Sequence, residues 1–125
     1  MTDRIDVLFI IYRSIKDRVQ LSFMEFAQLL KDWEAIPLTQ NGRLIGGVIV
    51  KGNELHVGYA EKPAGSIRKN IKEVMKPLFT KYGFVVTTVS KDNINGLNFC
   101  KRLGFVETSQ DSDKILLKCD GSHYV

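Results

Sequence analysis

Two tight turns, Asn41-Gly42 and Gly52-Asn53, do most to limit what this chain can fold into. They separate three runs of strand-forming residues, "WEAIPLTQ", "RLIGGVIVK" and "ELHVGYAE". Asn-Gly is a strong hairpin signal because a type I′ turn needs positive φ at both central residues. Consecutive strands joined by such short links pair with their neighbours, so an antiparallel meander is expected. Pro37 cannot donate to a ladder. It places the first strand at an edge or marks a bulge there.

The next segment adds a parallel step. Helical spacing over 66–81 puts Ile67, Ile71, Val74, Met75 and Leu78 on one face, and Arg68, Lys69, Lys72 and Lys76 largely on the other. Pro77 lacks the amide that would reach Glu73, so the last turn is expected to bend or end early. Gly83 is a suitable C-terminal stop. "FVVTTVS" then reads as a strand buried on both faces. A strand–helix–strand step from 54 to 90 joins parallel strands through a right-handed crossover. Meander and crossover together predict an α/β chain with a mixed sheet and helices on its faces.

The flanks complete the order. Ile5, Leu8, Ile11, Tyr12 and Ile15 mark one face of a helix over 4–17. Ser22 and Glu25 form a capping box for a second helix that ends near Asp32. A helix over 94–103 starts at Asp92 or Asn93. "KILLKCD" is the last strand, with room for a short one at 105–109, and "GSHYV" is a tail. One domain over 1–125 is expected, with helices in 1–32, the mixed sheet and two further helices in 33–118, and the tail at 120–125.

Composition narrows the class. At 44% hydrophobic and 26% charged residues, the chain can bury a core without staples. Cys100 and Cys119 make no disulfide framework, and no Cys/His cluster has metal spacing. The short apolar run near the N-terminus is interrupted by Asp6 and followed by Arg13, unlike a signal peptide or a membrane span. A cytoplasmic home is expected. A net charge of +4 suits a partner that carries phosphates without pointing to nucleic acid.

The stretch 91–105, "KDNINGLNFCKRLGF", carries a more specific signal. Asn93, Gly96, Phe99, Cys100, Arg102, Leu103, Gly104 and Phe105 resemble the N-x-x-A, aromatic-tyrosine, K-x-G-F pattern of the GNAT superfamily of N-acetyltransferases. With the element order, the resemblance covers roughly residues 33–118. It implies a GNAT-like acyl-CoA N-acyltransferase fold, here lacking the first strand, and acetyl-CoA as cofactor. In the family the Asn helps hold the pantetheine arm or the helix start, and the aromatic lines the acyl-CoA cleft. Read from the residues alone, Asn93 is equally an N-cap, Leu97 and Leu103 core, and Gly104 a C-cap.

The family also binds pyrophosphate with an R/Q-x-x-G-x-G/A loop at a helix start, where free amides and the helix dipole favour an anion. The corresponding residues are Lys62, Pro63, Ala64, Gly65, Ser66 and Ile67. Lys62 stands for Arg, Gly65 fits and Ile67 breaks the pattern. Ser66 is a cap or a phosphate donor. Arg68 and Lys69 oppose the dipole in the first turn unless an anion binds there. An ordinary helix start with solvated cations is the alternative. Gly58 weakens its strand unless something approaches its backbone. In the family this strand splays, and the pantetheine arm bonds to backbone that corresponds to Val57, Gly58 and Tyr59. A ligand-free bulge is the alternative.

Acetyl transfer to an amine needs a neutral amine, an oriented carbonyl and a proton for the departing thiolate. By alternation Glu54 and His56 share a strand face, and His56 is the better candidate base. The family's acid is often the Tyr after the aromatic. Cys100 stands there, with an unperturbed pKa nearer neutrality than a phenol's but a shorter reach. A buried filler thiol is the bland alternative. The implied activity is direct, metal-free acetyl transfer to an amine of a small molecule or protein.

Rival readings stay open. The basic helix and "NFCKRLGF" are also similar to compact GNAT-like proteins of tailed bacteriophages, some of them virion components. A binding or structural protein without catalysis therefore stands beside the enzyme. The lysine face of 68–81 is the remaining nucleic-acid candidate, although no aromatic ladder accompanies it. An exposed edge strand could pair with a second copy as a homodimer.

Overall fold

A computed structural model describes residues 3–61, 65 and 67–121. The strands pair in the order β1-β2-β3-β4-β6-β5, forming one six-stranded mixed sheet. They are β1 (Glu34–Gln40), β2 (Arg43–Lys51), β3 (Glu54–Tyr59), β4 (Val85–Ser90), β5 (Val106–Gln110) and β6 (Lys114–Cys119). The helices are α1 (Arg4–Ile15), α2 (Phe23–Leu29), α3 (Arg68–Tyr82) and α4 (Ile94–Arg102). The chain groups into two compact units. One comprises Met1–Lys51 with His56–Ile67, the other Gly52–Leu55 with Arg68–Val125.

In the first unit, Asp3 caps α1 by accepting from the Ile5 and Asp6 amides. The expected capping box is present at α2: Ser22 Oγ accepts from the Glu25 amide, and the Glu25 carboxylate accepts from the Ser22 amide. The Ser22 backbone amide, and after it the Ser22 side chain, hold the Glu25 carboxyl below its ordinary range by hydrogen bonding to it. Strands β1 and β2 are antiparallel, with Pro37 opposite Gly47 and a register shift at Leu38/Thr39. Pro37 thus lies on an edge strand next to an irregularity, as its missing amide requires. Asn41 and Gly42 have φ of 54° and 78°, the pair of positive values that a type I′ turn demands.

The strand buried on both faces is β2, whose residues 45–50 are all buried. One reason is the close seat of α1. A Cβ on Gly47 would lie 2.5 Å from Val7 Cγ1 and 2.9 Å from Ile11 Cδ1. Val7, Leu8, Ile11, Phe26 and Ile49 form the buried cluster of this unit.

In the second unit, α3 begins at Arg68, two residues later than its spacing predicts, and runs through Pro77 to Tyr82. The expected early end at Pro77 is therefore corrected. Proline removes one backbone bond, but Thr80 Oγ1 donates to the Lys76 carbonyl and Gly83 N–H to Phe79 O. Gly83, at φ 83°, stops the helix as expected. Strand β4 is a second correction. Val85, Thr87 and Val89 are buried while Val86 and Thr88 are only partly so. Its apolar look reflects one core face and β-branched residues on the other. Strand β6 alternates cleanly, burying Ile115, Leu117 and Cys119.

Candidate functional site

The Asn93–Phe105 stretch folds as a self-contained set of bonds in the second unit. Asn93 is the N-cap of α4, and its Oδ1 accepts from the Gly96 N–H at 3.1 Å. That side chain lies so close that a Cβ on Gly96 would sit 2.4 Å from Asn93 Nδ2. Gly96 leaves room for the Asn93 side chain to fold across it. At the other end, Gly104 N–H donates to Lys101 O and Phe105 N–H to Cys100 O, both at 3.0 Å. This is the bond pair of a Schellman motif, with Gly104 at φ 103°. Leu103 and Phe105 are buried and anchor the exit. Phe99 is half-buried.

Cys100 is half-buried on the same helix, and burial pushes its thiol up to about 11. Desolvation penalises the thiolate, so the unperturbed thiol value does not hold at this half-buried position.

Strand β3 carries the remaining strand candidates. Its parallel ladder with β4 is registered at Glu54 with Val86, where Val86 N–H donates to Asn53 O at 2.9 Å. Backbone groups alternate in direction along a strand. Ala60 N–H donates to Ile45 O on β2, so the amides of Val57 and Tyr59 lie on the other edge. Glu54 and His56 are both half-buried, so Glu54 is less solvated than its place beside a turn suggests.

Within the first unit, what approaches Gly58 is α1. A Cβ there would lie 2.8 Å from Ser14 Oγ and 3.1 Å from Ile11 Cγ2. On β2, a Cβ on Gly46 would lie 2.3 Å from Gly58 O. Both glycines are required by close packing before any ligand is considered.

The anion-loop candidates are only partly within view. Lys62 and Ser66 lie outside the described residues, as do Pro63 and Ala64. The loop is tied at points along its length. Glu61 pairs with Arg43 at 2.6 Å, and Gln40 Nε2 donates to Gly65 O at 3.3 Å. Ile67, the residue that breaks the family pattern, is buried, so it serves the core. Gly65 is exposed, and a Cβ there would meet nothing within 4 Å. In the second unit, Arg68 and Lys69 are exposed in the first turn of α3, which holds no acidic residue.

Two further residues are missed by sequence reasoning. Trp33 places its ring centroid 5.7 Å from that of His56, tilted by 49°. Arg4 donates from its two terminal nitrogens to the carbonyls of Trp33 and Leu30. The available signal was a single tryptophan at a helix–strand junction. Among the described residues no group of three or more His, Cys, Asp or Glu could hold a metal ion, and no helix is long and apolar enough to cross a membrane.

No family model and no curated protein matches the chain. Solved structures do. A mutant of the spermidine N-acetyltransferase SpeG from Vibrio cholerae superposes with a TM-score of 0.75 at 18% identity, covering 99% of this chain and 95% of that one. The ribosomal-protein-alanine N-acetyltransferase from Brucella melitensis gives 0.68 at 13% identity, over 91% of this chain and 92% of that one. Campylobacter jejuni N-acetyltransferase PseH, solved in complex with acetyl coenzyme A, gives 0.66 at 18% identity, over 92% and 90%. At these identities the likeness speaks to architecture, and the architecture is that of the GNAT N-acetyltransferases.

Proposed function

We propose that this chain is an acetyl-CoA-dependent N-acetyltransferase that passes the acetyl group directly to an amine. The observation that carries the reading is the backbone of β3, where Ala60 N–H donates to Ile45 O on β2 and the amides of Val57 and Tyr59 lie on the opposite edge. An amide-bearing pantetheine arm has the donors and acceptors to bond such an edge as an added strand. PseH, with a similar fold, was solved with acetyl coenzyme A bound.

In this reading Val57, Gly58 and Tyr59 hold the arm by backbone. Gly65, Lys62 and Ser66 belong to the phosphate loop, Arg68 and Lys69 add positive charge, and Ile67 contributes only its amide because its side chain is core. Asn93 acts by fixing the start of α4, and Phe99 is the aromatic of the acyl-CoA cleft. The amine nitrogen attacks the thioester carbon, the C–S bond breaks, and the amine proton leaves to His56, with Glu54 in support. The thiolate is reprotonated. Cys100 has a shorter reach than the tyrosine at this position of the family, so it contributes little and solvent supplies the proton. The acceptor is a primary amine of a small molecule or protein, and a cytoplasmic site of action suits the donor.

Calorimetry with acetyl-CoA on the wild type and Gly65→Glu tests the reading. Among the described residues nothing lies within 4 Å of a Cβ at Gly65, so lost binding reports on the phosphates rather than on misfolding. Binding that disappears in Gly65→Glu, with thiol release on adding spermidine, an alanine-terminated peptide or an amino sugar, supports it. No binding to the wild type favours a GNAT-fold binding or structural protein instead.

A further inference from the structure

We infer that Trp33, anchored by Arg4, sets the orientation of the His56 imidazole, making Trp33 and Arg4 positioning residues for the transfer; this rests on the transferase reading with His56 as base. The relevant contacts lie within the first unit. Arg4, in the first turn of α1, grips the end of α2: Nη1 donates to Trp33 O and Nη2 to Leu30 O, each at 2.5 Å. A guanidinium is the right group there, because its planar fork offers a separate N–H donor to each of two neighbouring carbonyls. Trp33 N–H donates to Leu30 O at 3.0 Å, so both backbone polar groups of Trp33 are fixed.

The indole is fixed as well. It packs, partly buried, against the cluster of Val7, Leu8, Ile11, Phe26 and Ile49. It meets the His56 ring at 5.7 Å and 49°. An imidazole on a strand turns about two side-chain bonds, and a rigid aromatic wall removes part of that freedom. A base must be aimed to within a small angular range, and misplacement by about 1 Å can cost on the order of a hundredfold in rate. The chain thus links α1, the end of α2 and β3 through one arginine and its single tryptophan.

The test uses histidine-selective NMR and kinetics on the full chain. The chain has 2 histidines, so His56→Gln assigns the His56 ring resonances. Trp33→Leu is expected to move those resonances by removing the indole ring current. Arg4→Met moves them in the same direction by less, and Trp33→Phe partly restores them. With acetyl-CoA and the panel amine that turns over, Trp33→Leu lowers kcat by about ten- to a hundredfold, with KM for acetyl-CoA unchanged. The same substitution in the His56→Gln background causes no further loss, because its effect passes through the imidazole. Additive losses in the double variant, or His56 resonances unmoved in Trp33→Leu, overturn the inference. If Trp33→Leu does not fold, Trp33→Phe and Arg4→Met carry the same comparison. Absence of turnover in the wild type sinks the transferase reading instead, while unmoved resonances would still show that the indole does not sit against the imidazole.

Discussion

From Asn93 to Phe105, the unusual residues answer to bonds inside the same stretch. Asn93 caps α4, Gly96 leaves room for that cap, Gly104 supplies the positive φ and Phe105 closes the exit. From Glu54 to Tyr59, folding explains less. Gly58 is accounted for by α1, but the Val57 and Tyr59 amides lie on the edge of β3 away from β2, and His56 faces an anchored tryptophan. The difference teaches that a motif can match a transferase pattern and still be needed for folding alone. The weight of the functional argument therefore moves from the better-looking motif to the plainer strand.

Substitutions in the two stretches can break or sharpen this contrast. The largest expected effect is on turnover. His56→Ala should lower kcat by about 10²–10⁴-fold with little change in Tm, whereas Cys100→Ala should leave kcat within about threefold, as steady-state kinetics would show. A Cys100→Ala loss as deep as that of His56→Ala would reverse the assignment of the two stretches.

Next comes packing at Gly58. Its added Cβ would meet Ser14 Oγ at 2.8 Å, so Gly58→Val should destabilise by about 1–3 kcal/mol in urea unfolding. Unchanged stability there would show that α1 does not hold β3 as described.

A smaller effect separates cap from motif. Asn93→Ala should cost about 1 kcal/mol. In that background Gly96→Ala should gain about 1 kcal/mol, because alanine is the better helix former and the obstructing side chain is gone. In the wild type the gain should be cancelled or reversed. Equal effects of Gly96→Ala in both backgrounds would remove the steric account of Gly96.

The last expected effect shows only at alkaline pH. Burial raises the Cys100 thiol from 9.0 to about 11. The folded state therefore keeps a proton that the unfolded chain releases first. The contribution is complete below about pH 9 and is lost as pH rises through about 11. Cys100→Ala should flatten the alkaline fall in Tm, and no difference between the two profiles would count against the buried position of the thiol.

Much of the fold was legible because its signals are local. Asn41-Gly42, the Ser22/Glu25 box and Gly83 each dictate a backbone conformation through their own chemistry, and each appears where the sequence put it. Pro77 misled because a missing amide is a local cost, whereas bonds formed later in the helix carry it onward. The strand buried on both faces was misassigned to β4 because valine and threonine suit a half-buried face as well as a core one. At the candidate site, His56 could be named from its residue type, but Trp33 and Arg4 could not. They lie 23 and 52 positions away along the chain, and only tertiary packing brings them together. Ile67 shows the converse: it reads as a broken binding motif, yet its side chain is core.

Amide hydrogen exchange of Val57 and Tyr59, measured with and without acetyl-CoA, tests the central claim most directly. The account predicts fast exchange at both amides in the free chain and marked protection on adding acetyl-CoA, with Ala60 changing little because its N–H already donates to Ile45 O. Slow exchange in the free chain, or acetyl-CoA bound with both amides unprotected, would contradict it.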